Sequence, residues 1–279
     1  MVTLLSSPFL PRLLAGAPSG SQNNLEGWEL IWSDEFDAPD GTRINPAKWT
    51  AELGGDGWGN QEKQLYTQRP ENATIEKGAL VIRALKESLA GSRCWYGPCE
   101  YTSARLNTQA KFEQKYGRFE AKIQVPGGRG TWPAFWMLGS NVVEHSWPDC
   151  GEIDIMENIG KEPSTVHGTV HGPGYSGARG IGAAHSLDHQ ARMADAYHVF
   201  AIEWNPESIR WFVDDQMYHT VSASALPKGK PWVFDQPFFL LLNLAIGGVW
   251  PGDPDRNVVF PQVMRVDYVR VYRPRQTKS

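Results

Sequence analysis

Three carboxylates lie within six residues of one another near the middle of the chain, in the run CGEIDIMEN at residues 150–158. Acidic and apolar side chains alternate at the start of this run, which predicts a β-strand with one acidic and one apolar face. Glu152 and Asp154 then share a face, whereas Glu157 would point away from them in a regular strand. We predict a β-bulge around residues 155–156 that returns Glu157 to the acidic face, as bulges commonly do beside active sites.

Carboxyl groups gathered on one strand face suit the hydrolysis of a glycosidic bond with retention of configuration. That reaction needs one carboxylate to attack the anomeric carbon and one acid to protonate the leaving oxygen, about 5–5.5 Å apart. We assign attack to Glu152 and acid/base catalysis to Glu157, because an ionised Glu152 favours the protonated form of its neighbour. Asp154 would share a proton with Glu152 or tune the coupled set. The alternative is the solvated face of an edge strand, but three crowded like charges repel each other there.

The segments that must position these acids read as short strands. Apolar or alternating runs are bounded by Gly, Pro, Asn and Asp, with strict alternation over residues 119–125 and again over 266–272. Asp214 and Asp215 mark a hairpin turn, and residues 186–196 are the place where a helical turn fits. Because no sustained helical period occurs, the sequence predicts an all-β sandwich of two antiparallel sheets.

Composition limits the classes of partner. A net charge of −4 over 279 residues gives no electrostatic reason to bind nucleic acid or an anionic membrane. The longest apolar run of the fold, residues 238–246, is too short to span a bilayer. We therefore expect neither partner, and a monomer. The predicted organisation is an N-terminal leader (1–26) outside the fold, one catalytic domain (27–275) and a C-terminal tail (276–279).

The three cysteines leave two alternatives open. Cys94 and Cys99 flank a Gly-Pro turn and form either a small disulfide loop or two free thiols, while Cys150 is expected to be a buried thiol. A disulfide would favour an oxidising compartment, so we expect a secreted protein.

Two other chemistries are weakly supported. His167 and His171 form an HxxxH pair that could suggest zinc, but Gly168 follows the first histidine and no third ligand is evident. Catalysis by a Ser-His-Asp triad is not indicated, because the chain has no GxSxG turn.

Several motifs resemble glycoside hydrolase family 16. The run EIDIME resembles the catalytic signature of that family, in the form with an extra Met that is found in laminarinases. The other resembling segments follow in the order typical of the family: LIWSDEF (30–36), WGNQEKQLYT (58–67), YGRFEAK (116–122), WPAFWML (132–138), HGTVHGPGY (167–175) and NLAIGGVWPG (243–252).

The resemblance implies a β-jelly roll with a concave substrate cleft and a retaining endo-hydrolase of β-1,3-glucan. It implies Glu152 as nucleophile, Glu157 as acid/base and Asp154 as helper, with no cofactor for catalysis. It also implies a structural calcium ion held by the Asp267 carboxylate and by backbone oxygens near Glu35 and Gly78. The residues that it places around the cleft are Asn60, Trp132, Trp136, His171 and Trp250.

The chain holds 12 Trp, more than a core requires, and indole rings pack well on the C–H faces of sugars. Of Trp132 and Trp136, we expect one to meet the sugar and the other to be partly structural. Trp250 lies in a Gly/Pro-rich loop and is our preferred sugar platform. We expect His171 to form a hydrogen bond near the carboxylates, and His167 to be an ordinary core or strand residue.

Two other functions remain as alternatives. One is a non-catalytic β-glucan recognition module on the same sandwich, although such modules lack the catalytic glutamates. The other is an enzyme of the same fold that cuts mixed-linkage glucan, agar or carrageenan. The loops GPGY (172–175) and GGVWPG (247–252) favour β-1,3-glucan, and they offer little positive charge for a sulfated galactan.

Overall fold

The computed structural model describes residues 25–275, except for the side chain of Gln190. The predicted tail (276–279) and all but the last two residues of the predicted leader (1–26) lie outside the described residues. Within them the chain forms 20 strands: Trp28–Asp34 (β1), Thr50–Glu52 (β2), Gln64–Tyr66 (β3), Ala73–Glu76 (β4), Ala79–Lys86 (β5), Arg93–Cys94 (β6), Gly97–Pro98 (β7), Tyr101–Ser103 (β8), Arg105–Asn107 (β9), Glu113–Gln114 (β10), Gly117–Gln124 (β11), Thr131–Gly139 (β12), Glu152–Glu157 (β13), Thr165–His171 (β14), Ile181–Ser186 (β15), His198–Trp204 (β16), Ser208–Val213 (β17), Gln216–Ser222 (β18), Phe238–Ile246 (β19) and Gln262–Pro274 (β20).

The helical content of the described residues is three single turns of 3-10 helix, at Gly177–Arg179, Asp188–Gln190 and Ala223–Ala225. The second of them falls in the segment where the sequence predicted a helical turn. In the part of the chain that the structure describes, no helix is long and apolar enough to cross a bilayer.

Two large sheets carry the fold. The ten-stranded sheet follows the order β18-β17-β16-β11-β20-β5-β8-β3, with β1 added to β20 and β4 added to β5. The eight-stranded sheet follows the order β15-β14-β13-β12-β19-β9-β2, with β10 added to β19. Pairing is antiparallel except between β3 and β8. The predicted all-β sandwich of two antiparallel sheets is therefore confirmed.

The core lies between the two sheets and is built from alternate strand residues. Phe119, Ala121 and Ile123 of β11 are fully buried, as the alternation over residues 119–125 predicted. Phe135 of β12 and Ile153 of β13 enter the same core from the eight-stranded sheet. Each large apolar side chain buried in this way contributes roughly 1.5–3 kcal/mol, so the sandwich holds its strands in fixed register.

Strand β13 contains the predicted bulge. Against β14, Asp154 is paired with Thr169 and Glu157 with His167, so β13 advances by three residues between these pairs while β14 advances by two. Ile155 and the next residue along, Met156, are both buried in the core, at 1% and 0% exposure. Two consecutive inward side chains return the residue after them to the opposite face.

The structure contains the hairpin turn predicted at Asp214 and Asp215, and it decides between the two alternatives for Cys94 and Cys99. Asp214 and Asp215 join β17 to β18 with φ of 47° and 67°, the left-handed conformation that a two-residue hairpin requires. Cys94 and Cys99 are joined by a disulfide that closes the β6–β7 hairpin. Cys150 is a buried free thiol, as expected.

Candidate active site

A cleft of about 980 Å³ crosses the outer face of the eight-stranded sheet. It is lined by side chains of β9, β19, β12, β13, β14 and β15, which are adjacent in the sheet. Six strands spaced about 4.8 Å apart give the cleft a length of about 24 Å, room for several sugar rings. On β12 the residues that line it are Trp132, Ala134, Trp136 and Leu138, which share one face because side chains alternate along a strand.

All three predicted carboxylates face this cleft. Glu152, Asp154 and Glu157 line it together, and the bulge of β13 is what brings the third to the same wall. Asp154 is the deepest at 2% exposure, while the two glutamates are partly exposed. His171 Nε2 lies 3.1 Å from Asp154 Oδ2 and 3.9 Å from Glu152 Oε1. His171 therefore lies beside the carboxylates, and the hydrogen bond expected of it there stays a prediction.

Burial and mutual repulsion hold protons on this acid set. Burial, reinforced by the Asp154 charge, raises the pKa of Glu152 to about 8. Burial, reinforced by the Glu152 charge, raises the pKa of Glu157 to about 7. The pKa of Asp154 is raised well above its usual range, by burial first and by the Glu157 charge second. His171 opposes the rise at both glutamates.

A nucleophile must be ionised while its acid partner stays protonated, and Asp154 makes this possible for Glu152. Because Asp154 is the most deeply buried of the three, it is the member that is most costly to ionise. Asp154 and Glu152 share a side-chain hydrogen bond. When Asp154 carries the proton, its charge no longer raises the pKa of Glu152, and Glu152 can ionise. The three acids therefore titrate as one coupled set.

The aromatic residues differ in their roles. Trp132 Nε1 donates a hydrogen bond to Glu157 Oε1 at 2.9 Å, and Trp136 Nε1 donates one to Asn243 Oδ1 at 2.7 Å. Both rings line the cleft and are partly exposed, so which of the two meets the sugar stays a prediction. Trp250 also lines the cleft and packs edge-on against Trp132, with ring centroids 5.4 Å apart.

His167 is a strand residue, one of the two places predicted for it. It lies on β14, but it faces the cleft rather than the core, because it shares a strand face with His171. Its Nε2 lies 2.9 Å from Glu162 Oε2, and its ring packs against Trp250 at 5.0 Å. The His167 imidazole is held by its carboxylate partner and is therefore placed to support the Trp250 ring.

A polar network forms one end of the cleft. Asn60, the predicted sugar ligand in the loop between β2 and β3, donates from Nδ2 to Glu62 Oε1 at 3.2 Å. Gln64 and the Tyr66 hydroxyl donate to the other oxygen of Glu62, at 2.7 and 3.3 Å. Burial raises the pKa of Glu62, although these donors oppose the rise. The network fixes Asn60 at the cleft edge, where its oxygen is available to a sugar hydroxyl.

The disulfide hairpin β6–β7 supports the same loop. The Trp95 backbone N–H donates to the Gly55 carbonyl at 2.9 Å, and its indole donates to the Glu62 carbonyl at 2.7 Å. The Tyr96 hydroxyl donates to the Lys63 carbonyl at 2.7 Å. The hairpin therefore holds both ends of the segment that carries Asn60.

Four further cleft residues, Trp58, Arg105, Trp147 and Asn243, were not predicted as site residues. Arg105 lies between two indoles, 4.4 Å from the ring centroid of Trp58 and 4.8 Å from that of Trp136. Its side chain is paired with Glu52 at 2.5 Å. Trp147, which is 46% exposed, lines the cleft near His171, and Asn243 lies on its floor. The one polar residue in the apolar run 238–246 was the available signal for Asn243.

Within residues 25–275, the group of side chains spaced for a shared metal ion is Glu152, Asp154 and His171, whose ligand atoms lie within 4.8 Å of one another. Two carboxylate oxygens and an imidazole suit a transition metal. The two histidines of the HxxxH pair, for which the sequence supported zinc only weakly, have different carboxylate neighbours: His167 lies 2.9 Å from Glu162 and His171 lies 3.1 Å from Asp154.

The residues predicted for calcium lie at the ends of strands that pair with β20 or on β20 itself. Strand β20 is paired with β5 as far as Val266 and with β1 from Val269 onward. Asp267 lies between these two paired stretches, at the ends of the strands that Gly78 precedes and Glu35 follows. The Asp267 carboxylate is paired with Lys122 at 2.7 Å. The arrangement fits the predicted donor set, with the lysine as a competing cation.

Residues 60–270, the segment that holds the acid strand and most of the cleft, match the family of glycosyl hydrolases called family 16. The chain belongs to this family. It is 48% identical to a beta-glucanase of Rhodothermus marinus, over 95% of this chain and 93% of that relative. It is 38% identical to a glucan endo-1,3-beta-glucosidase of Cryptopygus antarcticus, over 87% of this chain and 91% of the relative.

Among solved structures, the fold is similar to the laminarinase catalytic domain from Thermotoga maritima MSB8, with a TM-score of 0.84 and 48% identity. The match covers 90% of this chain and 100% of that domain. These similarities confirm the family predicted from the motifs and the jelly-roll fold that came with it.

Proposed function

We propose that the protein is a secreted endo-β-1,3-glucanase that hydrolyses laminarin-type β-glucans with net retention of configuration. The observation that carries the proposal is the bulged strand β13, which places Glu152 and Glu157 on one wall of a cleft long enough for several sugars. Relatives named as endo-1,3-beta-glucosidases and laminarinases support the choice of substrate. A cleft that crosses six strands suits attack within a chain rather than at its end.

In the first step, the Glu152 carboxylate attacks the anomeric carbon while the Glu157 carboxylic acid protonates the departing glycosidic oxygen. The result is a glycosyl ester on Glu152 and a shortened glucan that leaves with a new hydroxyl. Protonated Asp154 limits the charge beside the attacking glutamate in the buried set. No catalytic cofactor is required.

In the second step, the ester removes the negative charge of Glu152, so Glu157, now ionised, can accept a proton from water. The hydroxide attacks the same carbon, the ester bond breaks, and Glu152 is restored as a carboxylate. Two inversions at one carbon give net retention. The anomer first released from β-glucan should therefore be β, which proton NMR of early reaction mixtures measures.

Charge in the cleft argues against sulfated galactans. Four acidic side chains line the cleft, at Glu62, Glu152, Asp154 and Glu157, against the single arginine Arg105 within the described residues. A cleft with this balance repels sulfate esters. Mixed-linkage glucan is the second candidate, because some relatives are named endo-1,3-1,4-beta-glycanases.

The deciding experiment is reducing-sugar release from laminarin, barley mixed-linkage glucan and agarose, with Glu152→Gln as the inactive control. Strong release from laminarin that the variant abolishes supports both the substrate and the nucleophile. Tight laminarin binding without release from any of the three would instead assign the protein to the recognition modules.

Three features of the proposal concern the protein outside its cleft. Secretion is supported by the Cys94–Cys99 disulfide, because such bonds persist in oxidising compartments. Binding of structural calcium is supported by the convergence of Asp267 with the ends of β1 and β5. A monomer is also part of the proposal, and light scattering tests it. Calcium binding should raise the unfolding temperature, and Asp267→Asn should remove that increase.

A further inference from the structure

Trp211 connects the sheet behind the core to the catalytic strand. It lies on β17 of the ten-stranded sheet and is fully buried. Its indole Nε1 donates a hydrogen bond across the sandwich to the backbone carbonyl of Asp154, at 2.8 Å. A buried indole N–H and a buried carbonyl each need a partner, and here they satisfy each other.

The accepting carbonyl lies where the bulge begins. On the β12 side, Trp136 is paired with Asp154 and Phe135 with Met156, so Ile155 is the extra residue. An extra residue disrupts the ladder locally and leaves the strand free to bend in more than one way. A donor held rigidly by the opposite sheet selects one of these bends. The direction of that bend decides where Glu157 points.

The neighbouring strand leaves space for this indole. Gly168 of β14 faces the core beside the bulge, and a Cβ atom at this position would overlap the Trp211 ring and the Tyr218 hydroxyl. The glycine between His167 and Thr169 is therefore explained by the approach of Trp211. A side chain here would push the indole away from the Asp154 carbonyl.

We propose that Trp211 is a positioning residue for catalysis: its cross-sheet hydrogen bond, admitted by Gly168, sets the geometry of the bulge and so the placement of Glu157 relative to Glu152. This inference rests on the proposed glycosidase function. It assigns the catalytic geometry to a contact on the far side of the strand from the substrate.

The test is Trp211→Phe, which keeps an aromatic ring and removes the N–H donor. The matched control is Trp204→Phe, because Trp204 is also a buried tryptophan of the ten-stranded sheet, at 2% exposure, and donates to a backbone carbonyl, that of Phe234, at 3.1 Å. Trp211→Phe should lower kcat on laminarin about 10- to 100-fold with KM nearly unchanged, because a displacement of about 1 Å costs this much. It should also shift the pH profile of kcat. Trp204→Phe should lose stability and keep kcat per folded molecule.

Gly168→Ala is the second variant. It should lower kcat in the same way, and its effect should shrink in the Trp211→Phe background, since the effects of substituting two residues in contact are not additive. Equal behaviour of Trp211→Phe and Trp204→Phe would overturn the proposal. So would failure of both Trp211→Phe and Gly168→Ala to fold, because the contact would then serve the whole fold.

Failure of the proposed function is distinguished by the wild-type protein. If the wild type releases no sugar from any glucan, carbon-13 NMR titration of the Glu157 carboxyl group in the two tryptophan variants still decides the inference. A titration curve altered by Trp211→Phe alone supports positioning, and curves unchanged in both variants contradict it.

Discussion

Trp132 Nε1 lies 2.9 Å from Glu157 Oε1, so one indole both lines the cleft and donates to the carboxyl group assigned as acid/base. A donor aimed at a carboxylate favours its ionised form. The bond accordingly lowers the pKa of Glu157, against the larger effects of burial and of the Glu152 charge, which raise it to about 7. The same side chain therefore lines the cleft and also lowers the pKa of Glu157.

Trp132→Phe should move the alkaline limb of kcat/KM to higher pH. Glu157 must be protonated to act as acid, and loss of the indole donor raises its pKa, so the active form persists further by about one pH unit. Trp136→Phe is the control, because its indole donates to Asn243 instead. An equal shift in both variants would show that the indole of Trp132 has no specific effect on Glu157.

Azide separates the roles of the two glutamates. Glu157→Ala should lose roughly 10,000-fold or more on polysaccharide, because the leaving oxygen is no longer protonated. On a dinitrophenyl laminaribioside, which needs no acid, added azide should restore turnover and give a glycosyl azide of retained configuration. If azide gave the retained product with Glu152→Ala instead, the two roles would be reversed.

The raised pKa of Glu152 predicts a stability cost at neutral and alkaline pH. The folded state holds a proton on the interacting pair of Glu152 and Asp154 up to about pH 8, while unfolded Glu152 releases its proton near the ordinary value of 4.5. Stability therefore falls as pH rises through this window, by at most about 1.4 kcal/mol for each unit of pKa shift. Glu152→Gln removes the loss, so its unfolding temperature should exceed that of the wild type at pH 8 and match it near pH 4.

Scanning calorimetry at the two pH values measures this effect, with Glu207→Gln as control because Glu207 is exposed in the turn between β16 and β17. Equal unfolding temperatures of Glu152→Gln and the wild type at pH 8 would contradict a raised pKa of Glu152 in the folded state.

The disulfide hairpin predicts an effect on affinity. Because Trp95 and Tyr96 hold the loop that carries Asn60, loss of the disulfide should loosen the loop. The double variant Cys94→Ser/Cys99→Ser should raise KM for laminarin severalfold and change kcat less. Reductant should reproduce the effect in the wild type and do nothing further to the double variant. An unchanged KM in the double variant would show that the disulfide hairpin does not support substrate binding.

The sequence predicted most of what depends on local pattern. Alternation on β13 placed Glu152 and Asp154 together, and the three-residue step to Glu157 required the bulge that the structure contains. The same alternation on β14 also puts His167 on the face of His171, so its position in the cleft could have been predicted and was missed.

The contacts that the sequence could not predict join distant segments. Trp211 meets Asp154 across the sandwich, 57 residues away, and nothing near either residue indicates the pairing. Arg105 was invisible for a related reason, since a single arginine in a short strand gains meaning only when two indoles from other segments lie on either side of it. Patterns of period two report which face a residue occupies, but they carry no information about which element lies opposite.

The pairing of β1 with β20 brings Trp28 opposite Pro274, so the two ends of the described fold lie side by side. Both strands belong to the ten-stranded sheet, whereas the strands that line the cleft all belong to the other one. A tether attached at either end of the described fold would leave the cleft facing outward. The same closeness suits circular permutation of the described domain, with its two ends joined by a short peptide and new ones opened in an exposed turn such as that at Asp214.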